Sequence, residues 1–303
     1  MTTAASTQVL TREQAGVGVR TRRRRRGGVL PTAFMAVFLI YFALPLVWLL
    51  ISSTKTNGSL FSSFGYWFAR PFNLVANIRD VFTYGGSVFG RWMLNSALYA
   101  VVSAGGAAVL ATLAGYGFAK YEFPGKRLLF GIVLGTITVP TTALAIPTYL
   151  LFSKVGIVDT AWAVILPSLV SPFGIYLMRI YAEQAVDVSL LESARIDGAS
   201  EFRVFRQVAA RLLVPGFVTV LLFTLVATWN NYFLPLIMLN NPNLFPVTIG
   251  LAQWNASANA GGGSQALFSI VVTGSLLSII PLVVAFLLLQ RFWQSGLSTG
   301  AVR

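Results

Sequence analysis

Six stretches of this 303-residue chain are long and apolar enough to cross a bilayer, and that pattern restricts the fold more than any other feature. They run from about residue 29 to 52, 94 to 118, 128 to 152, 159 to 178, 212 to 239 and 267 to 289. A hydrocarbon core of about 30 Å takes roughly 20 apolar residues per helix. Backbone in lipid must also close its hydrogen bonds within the segment, which a helix does. The expectation is an all-α integral membrane protein with six transmembrane helices. Composition agrees, because charged residues make up only 10% of the chain, against about a quarter in soluble domains. The first run follows a basic cluster, as a secretory signal would. It is too long for one, and the following Lys55-Thr-Asn lacks a small-residue cleavage pattern, so it is read as a retained helix.

Six spans place both termini on one side. Residues 1–28, 119–127, 179–211 and the segment after 290 carry 17 of the 22 Lys and Arg; the opposite face, 53–93, 153–158 and 240–266, carries 5. The positive-inside bias assigns the first face, and both termini, to the cytoplasm. The chain then divides into a disordered basic tail (1–28), a first helix with an extracytoplasmic loop (29–93), a core membrane domain (94–290) and a cytoplasmic tail (291–303). The outer loop 240–266, with Asn241-Pro242-Asn243 and three successive Gly from Gly261, reads as flexible.

Several chemistries are excluded. The chain has no Cys and no His, hence no thiolate or imidazole ligand and no nucleophile or base of either kind. Apart from Asp159 at a rim, no span contains an Asp, Glu, Lys or Arg, which argues against proton relays and carboxylate ion sites. No Walker A loop occurs, and Gly125-Lys126-Arg127 lacks both its spacing and its hydroxyl. Of the net charge of +13, +6 lies in residues 1–28, where Arg22 to Arg26 abut the first span, and +7 is spread thinly between the apolar runs. The Arg run is read as a lipid and topology anchor, not a nucleic-acid site. Nine of the 13 prolines fall within the spans, so bent helices are expected. Ala104, Ala107, Ala108, Ala111 and Gly115, and again Gly131 and Gly135, have the small-residue spacing of close helix packing.

The loop 182–211 carries the strongest local signal. Ser189 and Glu192 have capping-box spacing and start a short helix. Leu190, Leu191, Ala194 and Ile196 are its apolar contacts, and Gly198 ends it, because Gly tolerates the left-handed C′ conformation. An amphipathic segment follows, with Phe202, Phe205 and Val208 at i, i+3 and i+6. The result is a helix–turn–helix elbow, which either lies on anionic lipid or docks into a partner.

Glu192-Ser193-Ala194, then Gly198 after three residues and Val208 after nine more, resembles the "EAA" loop of ABC importer permeases. Ser193 stands in place of an Ala, Val208 in place of Ile, and Ala210-Arg211 in place of Leu-Pro. The sequence around Asp197, together with Ile146-Pro-Thr-Tyr-Leu-Leu, Gly156-Ile-Val-Asp-Thr and Trp229-Asn230-Asn231, is similar to the second permease subunit of the maltose/oligosaccharide-type importers. The resemblance spans about residues 30–303. It implies a type I importer half that pairs with a second homologous permease, two cytoplasmic ATPase subunits and an extracytoplasmic solute-binding protein. ATP and Mg would belong to the ATPase, with no cofactor on this chain and no enzymatic activity of its own. Ser189, Glu192, Ser193, Ala194, Asp197, Gly198 and Val208 would form the ATPase-coupling loop, with Glu192 and Gly198 carrying the coupling. Trp229, Asn230, Asn231 and Tyr232, expected within the fifth helix, offer the aromatic and neutral polar groups that grip sugars. They also fit an interfacial belt or interhelical hydrogen bonding. An importer of a non-sugar solute, and a channel or scaffold, remain alternatives.

Overall fold

A computed structural model describes residues 28–260 and 267–299, and every regular element among them is helical. The Arg22–Arg26 run and the rest of the basic tail lie outside the described residues, as do Gly261 to Gly263 and residues 300–303. Two units separate between Leu46 and Val47. The first contains the opening turns of α1 (Val29–Ser52), where Phe34 and Phe38 pack ring to ring at 4.5 Å. The second contains everything after it.

Among the described residues, five helical stretches are long and apolar enough to span a membrane: Val29–Ser52, Leu74–Lys120, Trp162–Ala185, Glu201–Trp229 and Leu267–Gln290. The expected third span is not one helix. Its residues form α4 (Lys126–Ile137) and α5 (Ala145–Lys154), separated by a run that contains Pro140. Proline also marks the next discontinuity, where α6 (Trp162–Ser168) gives way to α7 (Pro172–Ala185) after Ser171. Proline donates no backbone hydrogen bond, so these breaks fall where the ladder is already interrupted. Pro45 and Pro281 sit inside helices that continue through them.

The expected loop 53–93 is largely ordered helix. After the short α2 (Asn57–Ser62), α3 (Leu74–Lys120) begins 20 residues before the predicted span. It contains a joint at Tyr84–Ser87, where Gly85, Gly86 and Ser87 all take positive φ. The buried Asn77 amide donates to the carbonyls of Ser53 and Lys55 at 2.7 and 2.8 Å, and Lys55 Nζ donates to the Phe64 carbonyl at 2.7 Å. These bonds tie the start of α3 to the end of α1.

The core of the second unit has two parts. One is aromatic: Phe89, Trp92 and Trp254 are buried together, with Trp92 and Trp254 centroids 4.8 Å apart. It fixes α12 (Val247–Asn259) against α3. Trp92 Nε1 donates to the Pro242 carbonyl at 3.0 Å, Tyr99 Oη donates to the Leu244 carbonyl at 2.8 Å, and Ser96 Oγ accepts from the Val247 amide at 2.8 Å. The expectation of a flexible 240–266 loop is therefore wrong through Asn259: buried apolar contacts and satisfied backbone groups hold that segment despite its Asn and Gly content.

The other part joins α3, α7 and α10 (Ala210–Trp229) through Ala108, Ala111, Met178, Ala182, Leu213 and Val220. The predicted small-residue stripe of α3 is the packing surface, with Ala104, Ala107, Ala108, Ala111 and Gly115 all buried. The second predicted pair differs. Gly131 and Gly135 face open space, so their spacing reflects no packing within this chain. The last helix, α13 (Leu267–Thr299), runs past its expected end near residue 289.

Candidate functional site

The elbow begins where α7 ends. Asp187, extended at φ −71° and ψ 137°, caps α8 (Val188–Ile196), and its carboxylate accepts from the Ser189 amide at 2.9 Å. That bond holds Asp187 below the ordinary carboxylate range. The predicted Ser189–Glu192 box is thus displaced by two residues. Val186 and Leu191, at N′ and N4, are both buried in one cluster, which is the arrangement of a hydrophobic staple. That burial sets where the chain enters the helix, and Asp187 then occupies the cap. Ser189 lies in the first turn, where its carbonyl accepts from Ser193 Oγ at 2.9 Å. Glu192 is exposed and takes no part in the cap.

The other end follows expectation. Gly198 has φ +79°. Its amide donates to the Arg195 carbonyl and the Ala199 amide to the Ala194 carbonyl, both at 3.0 Å, which is the Schellman pattern. Asp197 is the C-cap residue and is exposed. A Cβ added at Gly198 would meet nothing within 4 Å, so the requirement there is conformational.

After Ser200 the chain re-enters helix as α9 (Glu201–Val204), passes through a π turn at Phe205–Ala209 and continues as α10. Val208 sits in that turn, partly buried against the small-residue cluster with Phe205 and Ala194. Three of the seven predicted apolar contacts point outward instead. Leu190, Ile196 and Phe202 are 48%, 86% and 72% exposed, while Leu191, Val204 and Ala209 are buried. The elbow therefore has one apolar face packed on its own helices and another left open, rimmed by exposed Glu192 and Asp197.

Three residues that sequence spacing did not single out meet beside this face. Arg195 Nε donates to Glu201 Oε1 at 2.7 Å, Arg195 Nη2 to Glu201 Oε2 at 3.2 Å, and Tyr121 Oη to Glu201 Oε2 at 2.6 Å. The Arg195 guanidinium, then the Tyr121 hydroxyl, hold the Glu201 carboxyl below its ordinary range. Burial, then the bond to Glu201, push the Tyr121 phenol up. The Arg–Glu pair spans the Gly198 turn at a separation of six, which is no helical period. Tyr121 comes from the far end of α3, so no local pattern announces it.

The second predicted site changes more. Trp229 ends α10 and Asn230 is its C-cap residue, so these residues break the fifth helix instead of lying within it. The Asn230 amide side chain donates to the Val226 carbonyl at 3.0 Å, and Asn231 Oδ1 accepts from the Leu234 amide at 3.4 Å at the start of α11 (Phe233–Met238). Asn side chains compete for backbone partners, which favours a helix end over a helix interior. Trp229 is buried and offers no face to a sugar; Asn230 and Tyr232 are exposed.

Residues 107–295 match the family described as binding-protein-dependent transport system inner membrane component. The chain is 29% identical over 279 residues to the arabinooligosaccharides transport system permease protein AraQ of Bacillus subtilis (strain 168), covering 90% of this chain and 94% of that protein. It is 30% identical over 272 residues to the trehalose transport system permease protein SugB of Mycobacterium tuberculosis (strain CDC 1551 / Oshkosh), covering 87% and 93%. In fold it is similar to a chain of a bacterial ABC transporter involved in the import of the acidic polysaccharide alginate. The TM-score is 0.76 at 20% identity, covering 90% of this chain and 98% of that one.

Proposed function

We propose, for a chain that belongs to the family of binding-protein-dependent transport system inner membrane components, that the cargo is a sugar or oligosaccharide and that the 182–211 elbow is where the ATPase engages. As a member of that family the chain is a multi-pass permease subunit of an ABC importer. The sugar reading is supported by relatives that transport arabinooligosaccharides and trehalose along nearly their whole length. The absence of Asp, Glu, Lys and Arg from the apolar runs read from the sequence, apart from Asp159 at a rim, supports energy input from another chain. That chain would be an ATPase holding ATP and Mg, present twice, with a second homologous permease and a solute-binding protein completing the complex.

One observation carries the coupling reading: the elbow holds Leu190 and Ile196 open on a short helix whose two ends are both capped, with Phe202 open on the turn of helix that follows. Such a rigid, partly apolar knob suits a groove, and Glu192 beside it offers a charge to a basic partner. Ser189, Ser193, Ala194, Asp197 and Val208 shape and support the knob. Of the second site, the exposed Asn230 and Tyr232 are the better candidates for the substrate pathway, with Trp229 and Asn231 behind them. The basic-residue bias supports cytoplasmic termini, a cytoplasmic elbow, and α4 with α5 as a discontinuous third crossing. The division into a tail to 28, a first helix and outer segment to 93, a core to 290 and a short tail goes with that topology.

Gly198→Asp tests the reading. A side chain in the left-handed conformation costs about 1 kcal/mol but meets nothing in this chain. The permease should insert and pair normally yet recover less ATPase on purification. Unchanged ATPase recovery, together with unchanged hydrolysis in the assembled complex, would return the elbow to a lipid-surface role.

A further inference from the structure

We propose that Tyr121, Arg195 and Glu201 form a positioning clamp that makes the elbow and α3 move as one body when the ATPase displaces the elbow. The proposal rests on the coupling reading above. The covalent routes from the elbow lead back into α7 and on into α9 and α10. The clamp adds a route into α3: Glu201 lies in the first turn of α9, Arg195 in the last turn of α8, and Tyr121 is the C-cap residue of α3, 80 positions earlier in the chain.

The chemistry suits a fixed geometry. Both Glu201 oxygens are engaged, one by Arg195 Nε and the other by Arg195 Nη2 and Tyr121 Oη. A two-point guanidinium–carboxylate bond sets orientation as well as distance. Tyr121 is itself held from three directions. Its amide donates to the Gly117 carbonyl at 3.2 Å, its carbonyl accepts from Lys126 Nζ at 3.0 Å, and its ring meets Tyr116 edge to face at 5.7 Å. Tyr116 in turn packs on Phe205 of the π turn at 5.1 Å. A hydrogen bond to α9 and a tilted ring contact to the adjoining π turn therefore link the end of α3 to the elbow side by side. An exposed ion pair adds little to stability, so the clamp is expected to govern geometry more than folding.

The chain has no Cys, so Val188→Cys on α8 and Leu113→Cys on α3, both exposed, give a unique spin-label pair. The sample is the full complex with cysteine-free partners, and the probe is ATP, with vanadate to trap the closed state. In the parent chain the inter-label distance should be the same without nucleotide and after trapping. In Tyr121→Phe and in Glu201→Gln it should shift or broaden by about 2 Å on trapping, the scale of helix slippage at an interface, with ATPase recovery unchanged. The proposal is overturned if both variants keep the parent distance in both states, or if the parent distance itself changes on trapping. A fall in ATPase recovery with no change in distance would also overturn it, leaving a purely local structural role. Failure of the parent chain to retain any ATPase would overturn the coupling reading, and the clamp's function with it.

Discussion

Gly115→Ala probes how closely two membrane helices approach. A Cβ at Gly115 would lie 2.5 Å from Met178 Cβ, 2.7 Å from the Arg179 backbone nitrogen and 2.8 Å from the Met178 carbonyl carbon. Ordinary contact begins near 3.4 Å, so α3 and α7 must separate by about 1 Å at this point. Two of the three obstacles are backbone, and no rotamer change relieves them. Overpacking of this kind costs about 1–3 kcal/mol, and a clash with main chain belongs at the upper end. Replacing a helical Gly recovers about 0.5–1 kcal/mol, which leaves a net loss of about 2 kcal/mol. Gly117→Ala is the matched control, because its Cβ meets nothing within 4 Å on the same helix. It should stabilise by about 0.5–1 kcal/mol. Thermal unfolding of the purified permease in one detergent reads both: the first variant should melt several degrees below the parent and the second slightly above. If both melt above the parent, α3 and α7 do not meet at Gly115 and the small-residue stripe is not their contact.

The same logic applies to α12. A Cβ at Gly250 would fall onto the ring of Trp92, which is packed on Trp254 and bonded to Pro242. Gly250→Ala should therefore cost about 2–3 kcal/mol and raise amide exchange across 247–259. Asp159, at φ +59°, accepts from the Asn240 and Asn241 amides at 2.8 and 2.9 Å. Asp159→Asn keeps an acceptor and tolerates the left-handed backbone, so it should be mild, whereas Asp159→Ala loses both and should cost about 2 kcal/mol; equal melting of the two would refute this. A carboxyl with a depressed folded pKa contributes above its unfolded value and loses that contribution as pH falls through the folded one. With Glu201 lowered and Tyr121 raised, the Val188–Leu113 label distance should stay constant from about pH 5.5 to about pH 8. A change within that window would show that another group controls the elbow. Finally, a Cys at exposed Ser189 should react with an impermeant maleimide only from the cytoplasmic side.

Much of the fold was legible because bilayer thickness is a one-dimensional constraint, and a run of apolar residues answers it without reference to the rest of the chain. The Gly198 turn was legible for a similar reason, since a C′ residue must take positive φ whatever surrounds it. The elbow's cap was misplaced because Ser189–Glu192 spacing and Asp187 are both locally adequate. The burial of Val186 and Leu191 against α3 and α7, a tertiary fact, chooses between them. Phe202 and Ile196 look like core residues by composition, yet the phase of the helices turns them outward.

By itself the sequence determined the membrane class, the presence of long apolar helices, the packing stripe of α3 and the Gly-terminated elbow, all of which depend on residues within a few turns of each other. Tertiary structure decided what depends on distant partners. It held α12 on the aromatic cluster of Trp92 and Trp254. It brought Tyr121 to Arg195 and Glu201. Hydrophobic length is additive along a chain, whereas a hydrogen bond or a ring contact across 80 or 150 residues exists only after the helices between them have packed.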